Sequence, residues 1–238
     1  HAAHDGFTNL MPEAMWLVGV FSIINICTTW ALYDGELRLS QMITQVMKIG
    51  AFLFLIMNMG KINQAIMLSF QHGGIIAALG PSAASTYTGF TPSGLLDKGV
   101  ELTKDLWTSN AFEYGIEGTI QKIIVVLLVI FSYFIMSIQL LLTKIEFNIF
   151  AAIAVILLPF GALRYTSFLF QRAVSCVFSF GIKLMLCYFM LGIVERQSDA
   201  LLKGFEYGGK TPEFGMLISS ALGYVAIGYL VWKVPTVV

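Results

Sequence analysis

The sequence predicts an all-α, polytopic integral membrane protein, and three observations carry that prediction. Charged residues make up 12% of the chain against 57% hydrophobic, where soluble domains carry roughly a quarter charged. Mean hydropathy is +0.80. The apolar residues also fall in long blocks, and a helix needs about 20 such residues to cross the hydrocarbon core.

Taken in order, the blocks give about six spans, five to six in all, within one membrane domain over residues 1–238. No residue between Glu13 and Asp34 is charged, which places a first span at 14–33. A second lies within 42–60, where AFLFLIMNMG is apolar although Lys48 intrudes. Lys122 and Lys144 bracket a third at 123–143, containing IIVVLLVIFSYFIMSIQLLL. A fourth, 147–163, follows a tight TKIE link. The fifth, 173–194, carries Lys183 near its centre, and the sixth, 214–232, is closed by Lys233 and Pro235.

Between the second and third spans lies the sizeable extramembrane segment, 61–121. Ile62, Ile66, Met67 and Phe70 recur at helical spacing among Lys61, Asn63, Gln64, Gln71 and His72, the pattern of a helix with one buried face. An interfacial amphipathic helix would read the same way. GPSAASTYTGFTPSG then reads as a loop. A further helix starts with Thr91 as N-cap and Pro92 in the first helical position, with Leu95, Leu96, Val100 and Leu106 available as an apolar stripe.

The chain opens HAAHDGF without Met, as though a signal peptide had been removed or the ends were not covered. With a signal peptide removed, the amino terminus and 61–121 lie on the exported, periplasmic side, and Lys144 and 195–213 inside. Basic residues divide almost evenly between the two sides, so the positive-inside rule does not decide orientation.

Several function classes find no support. Fourteen basic and fourteen acidic residues cancel, whereas stable nucleic-acid binding draws on a basic excess. Cys27, Cys176 and Cys187 sit within proposed spans and read as packing residues rather than a disulfide framework. His1, His4 and His72 show no metal-ligand spacing. Neither a nucleophile–base pairing nor a phosphate-binding glycine loop is present, so no enzyme and no cofactor is expected.

The information lies in charges and breaks within the apolar blocks. A lysine at a helix centre costs roughly 2.5–3.5 kcal/mol to insert, so Lys183 should face protein, a carboxylate or water. It could line a hydrated lumen, pair with Glu146, or snorkel from a shifted helix. Pro159-Phe160-Gly161 breaks the fourth span near its end, because Pro removes a backbone donor and Gly relaxes the helix. Arg164 and Arg172 then flank YTSFLFQ, which reads either as a hairpin anchored at the headgroups or as a gate or docking elbow. Ser175 with Ser179, and Ser219 with Gly223, put small residues at a four-residue spacing that permits close helix contact.

The run NIFAAIAVILLPFGALRYTSFLFQRAVSCVFSFGIKLMLCYFMLGIV, Asn148 to Val194, resembles the TrbL family, polytopic inner-membrane subunits of type IV secretion and conjugation systems. The family pattern is an apolar helix ending in L-P-F-G, an elbow with T-x-F, and a helix carrying S-F-G-I-K-L-M. Here Leu158, Pro159, Phe160, Gly161, Thr166, Phe168 and the run from Ser179 to Met185 supply it in order. TPSGLLDKGVELTKDLW, from Thr91, and the closing VWKVPTVV resemble two further family segments.

That resemblance implies a subunit of the bacterial inner membrane at the base of the secretion machine, without catalytic activity. It implies a small homo-oligomeric ring, a pentamer, that supports pilus or stalk assembly and the passage of DNA or protein. Implied partners are pilin, a minor pilin, bitopic scaffold subunits and cytoplasmic motor ATPases, besides membrane lipid. Lys183 and the elbow from Pro159 to Arg172 would then serve assembly or the substrate path. The residues alone leave an alternative, a secondary transporter with a midplane site at Lys183 and Glu146. Transporters of that kind often show inverted repeats and paired broken helices, and LLPFGALRYTSF has no counterpart in the first half.

Overall fold

The computed structural model describes residues 2–32, 39–83, 90–108, 115–163, 166–202 and 214–237, and every element among them is helical. In order they are α1 (Ala2–Leu32), α2 (Leu39–Leu79), α3 (Pro92–Thr108), α4 (Gly115–Leu157), α5 (Ser167–Leu202) and α6 (Phe214–Val237). Short 3₁₀ turns lie at Pro81–Ala83 and Leu158–Gly161. Tyr33, Arg164 and parts of the connections expected around α3 and before α6 fall outside the described residues.

Among the described residues, four stretches are long and apolar enough to cross a membrane: Asn9–Thr29, Ile43–Leu79, Thr119–Gly161 and Ser167–Arg196. The chain is thus an all-α, polytopic membrane protein. The sequence counted six spans, and among the described residues two of them merge into one. Residues 123–143 and most of 147–163 are not separate spans joined at TKIE but parts of α4, 43 residues without interruption up to Leu157. α6 is helical and apolar, as the sixth expected span requires, and the four stretches above are counted among the described residues only.

TKIE fails as a link because nothing in it opposes a helix. It contains no Gly or Pro, and the Thr143 hydroxyl donates to the Gln139 carbonyl one turn earlier at 2.8 Å. The Lys144 ammonium, which looked like a loop charge, lies 5.4 Å from the centroid of the Tyr188 ring. A cation over an aromatic face is stabilised without leaving the helix.

Three other elements differ from expectation. α5 begins at Ser167 rather than at Ala173, so Phe168, Gln171 and Arg172 form its first turns. On α2, Asn63 is buried, although the sequence grouped it with the polar face. On α3 the buried stripe is Leu95, Gly99 and Thr103, while Leu96 and Val100 are exposed.

The chain divides into two compact units. The first comprises His1–Leu68 with Ile145–Gly181, so it holds α1 and portions of α2, α4 and α5. Its core contains Val18, Ile56, Phe147 and Val155, all essentially inaccessible. Phe150 and Phe180 stack with ring centroids 4.0 Å apart. The Gln45 side chain donates to the Thr29 hydroxyl at 2.9 Å, tying α2 to α1.

Ser69–Lys144 with Ile182–Val238 make the second unit. Its core gathers Val125, Val129, Tyr133, Met136, Leu184, Leu191 and Tyr224. The rings of Tyr133 and Tyr224 pair at 5.7 Å, joining α4 to α6. Where the end of α2 meets α5, the backbones nearly touch. A Cβ on Gly74 would run into the Met185 carbonyl and come within 2.8 Å of Tyr188 Cβ, so only glycine permits the approach. One turn on, Ala78 faces Gly192.

Candidate functional site

The elbow after α4 is a packed knot inside the first unit. α4 ends at Leu157, and the Leu158–Gly161 turn places Pro159 where its missing N–H is harmless. The Ala162 N–H donates to the Pro159 carbonyl at 3.0 Å, and the Thr166 hydroxyl donates to the Phe160 carbonyl at 2.9 Å. Those two bonds close the turn on itself. Pro159, Gly161 and Ala162 are buried.

Three helices of the same unit grip this turn. α1 packs against it, with Phe21 and Phe160 at 5.0 Å between centroids and the Asn25 amide donating to the Ala162 carbonyl at 3.3 Å. Phe52 of α2 and Phe170 of α5 meet edge-to-face at 5.2 Å directly over Gly161. A Cβ at Gly161 would collide with the Phe52 ring and lie 3.0 Å from Phe170 Cγ. Arg172, exposed on α5, places its guanidinium 5.8 Å from the Phe168 ring.

In the second unit, α3 is held as a bracket along α4 and α5. The Thr91 hydroxyl accepts from the Gly94 N–H at 3.0 Å, an N-cap with Pro92 behind it as the sequence foretold. Ser137 of α4 donates to the Pro92 carbonyl at 2.6 Å. Lys98 of α3 pairs with Glu195 of α5. Just before α3, the Phe90 carbonyl accepts from the Tyr188 hydroxyl at 3.2 Å, and the two rings meet edge-on. Tyr188 therefore bonds to the α3 bracket while its face takes the Lys144 ammonium.

Of the residues singled out from sequence, Pro159 and Gly161 come together in the elbow, with Arg172 on the helix that follows. Arg164 lies outside the described residues. Lys183 and Glu146 are each half-buried and fall in different units. Ser175, Ser179 and Ser219 are exposed and Gly223 is half-buried. A close approach between α2 and α5 uses Gly74 with Ala78 instead, a pair at the same four-residue spacing in GIIAA. Among the described residues, no group of three or more His, Cys, Asp or Glu side chains gathers as a metal site would need.

The elbow, with its L-P-F-G turn and Thr-x-Phe helix start, lies within a longer match. The family model of the TrbL/VirB6 plasmid conjugal transfer protein matches residues 19–234. The chain belongs to the TrbL/VirB6 family. No curated protein and no solved structure matches it. Membership makes the chain a component of a conjugal transfer or type IV secretion system, working with that system's other components. For a TrbL/VirB6 protein, both the elbow of the first unit and the α3 bracket of the second fall inside the matched region.

Proposed function

We propose that this TrbL/VirB6 protein is an inner-membrane platform of the secretion machine, a homo-oligomeric ring of about five copies. The ring supports pilus or stalk assembly and admits DNA or protein substrate. Its role is structural and conducting rather than catalytic. Pilin, a minor pilin, bitopic scaffold subunits and motor ATPases are its partners, and the amino terminus and residues 61–121 face the periplasm. The family match over 19–234, with the elbow inside it, carries this reading.

Deleting the gene and scoring pilus formation and substrate transfer separately tests it. Loss of both fits a platform, and loss of transfer alone fits a conduit. Normal pili with normal transfer would remove the proposal.

Lys183, half-buried on an apolar helix, is assigned to assembly or the substrate path. Lys183→Met should leave the membrane level of the protein near wild type and lower transfer. Unchanged assembly together with unchanged transfer would take Lys183 out of both roles.

A further inference from the structure

Residues 123–143 of α4 are polar inside and apolar outside. Every exposed side chain among them is apolar, Phe131 at 53% and Phe134 at 47% included, while Ser132, Ser137, Gln139 and Thr143 are buried. The stretch carries no charge. At about 1.5 Å per residue it is about 30 Å long, the thickness of the hydrocarbon core. Lipid suits such a surface, and Tyr133 stands at its mid-depth.

α3 of the same unit is held against that middle. A Cβ at Gly99 would lie 2.8 Å from Tyr133 Cβ, and the Pro92 carbonyl meets Ser137 one turn away. α3 therefore does not stand clear of the membrane, as its place in 61–121 led us to expect. Successive helical residues turn by about 100°, which sorts its side chains. Leu95, Gly99 and Thr103 are buried and face inward, with Leu96 and Val100 on one flank. On the other flank Lys98 pairs with Glu195. Asp97, Glu101 and Lys104 are exposed and point directly away.

Charged side chains at mid-depth are costly against lipid, and those that occur face protein or a water-filled cavity. A docked protein matches this face poorly, because interface cores are depleted of charge and no apolar residue stands among these three. Water suits it. We infer that α3 lies at bilayer depth and turns Asp97, Glu101 and Lys104 onto a water-filled lumen open to the exported side. A single copy would turn the same face to lipid, so this rests on the ring reading above and names the surface of each copy that faces the axis.

The test makes Glu101→Cys and Phe131→Cys separately in the full chain, with Cys27→Ala, Cys176→Ala and Cys187→Ala, and attaches a nitroxide in phospholipid nanodiscs. Asp97 and Phe134 are the second positions should either variant fail to accumulate. Oxygen concentrates in hydrocarbon and a nickel chelate in water, so collisions with each locate the label. The label at 131 should collide severalfold more with oxygen, relative to the chelate, than the label at 101. Chelate at both labels puts 123–143 outside the bilayer, and a label at 101 that the chelate does not reach faces lipid or protein. Either result overturns the assignment, as does a label at 131 that oxygen does not reach. The mass of the unmodified wild-type assembly separates the two ideas. A monomer sinks the ring itself, whereas a ring whose position 101 stays dry sinks only this lumen.

Discussion

Gly161 lies against the ring of Phe52 so closely that the position has no room for a Cβ. The elbow is therefore fixed by shape as well as by its two internal hydrogen bonds. Phe52 is itself buried and meets Phe170 edge-on, so it has little freedom to move aside. Gly161→Ala should cost about 1–3 kcal/mol, the usual penalty for an overfilled core. Melting of the detergent-solubilised protein checks this, and Phe52→Leu in the same chain should recover part of the loss. An alanine variant melting with the wild type would mean that the contact is slack.

The Lys98–Glu195 pair is partly buried, with side chains 30% and 16% exposed. Glu195→Gln leaves the ammonium without its counterion and should cost about 1–3 kcal/mol. Exchanging the charges, Lys98→Glu with Glu195→Lys, should return most of it. If the exchange melts as low as the single variant, the pair does not hold α3.

Two further bonds secure the start of α3 and should act independently of each other. Thr91→Val removes the N-cap and should cost about 0.5–2 kcal/mol. Ser137→Ala removes a donor to the Pro92 carbonyl and should cost about 0.5–1.5 kcal/mol. Protease sensitivity within α3 is the readout, and each change should raise it.

Tyr188 has a hydroxyl bonded to Phe90 and a ring facing Lys144, and the two contributions can be separated. Tyr188→Phe loses only the bond, about 0.5–1.5 kcal/mol. Tyr188→Leu also loses the aromatic face under the ammonium, a contribution of about 0.5–2 kcal/mol more. Equal melting of the two variants would show that the cation gains nothing from the ring.

What the sequence made legible follows from how local each cause is. The break at Pro159 was readable because a missing N–H acts within one turn, and the Thr91 cap was readable for the same reason. TKIE was misread because its charges suggested a loop, and only the tertiary structure supplies Tyr188 to receive Lys144. Asn63 stands three, four and seven residues before Ile66, Met67 and Phe70, so helical periodicity itself places it on the buried side of α2, and only its polarity hid this. Small residues at four-residue spacing did mark close packing, but at Gly74 and Ala78 rather than at the serines. Nothing within either segment distinguishes the pair that meets a partner helix from the pair that does not.

A ring differs from a transporter first in assembly state, and the mass of the intact protein in lipid nanodiscs measures it most directly. A single closed species of about five copies is the expected result. A monomer that binds a small solute would contradict the secretion-ring account and favour a transporter.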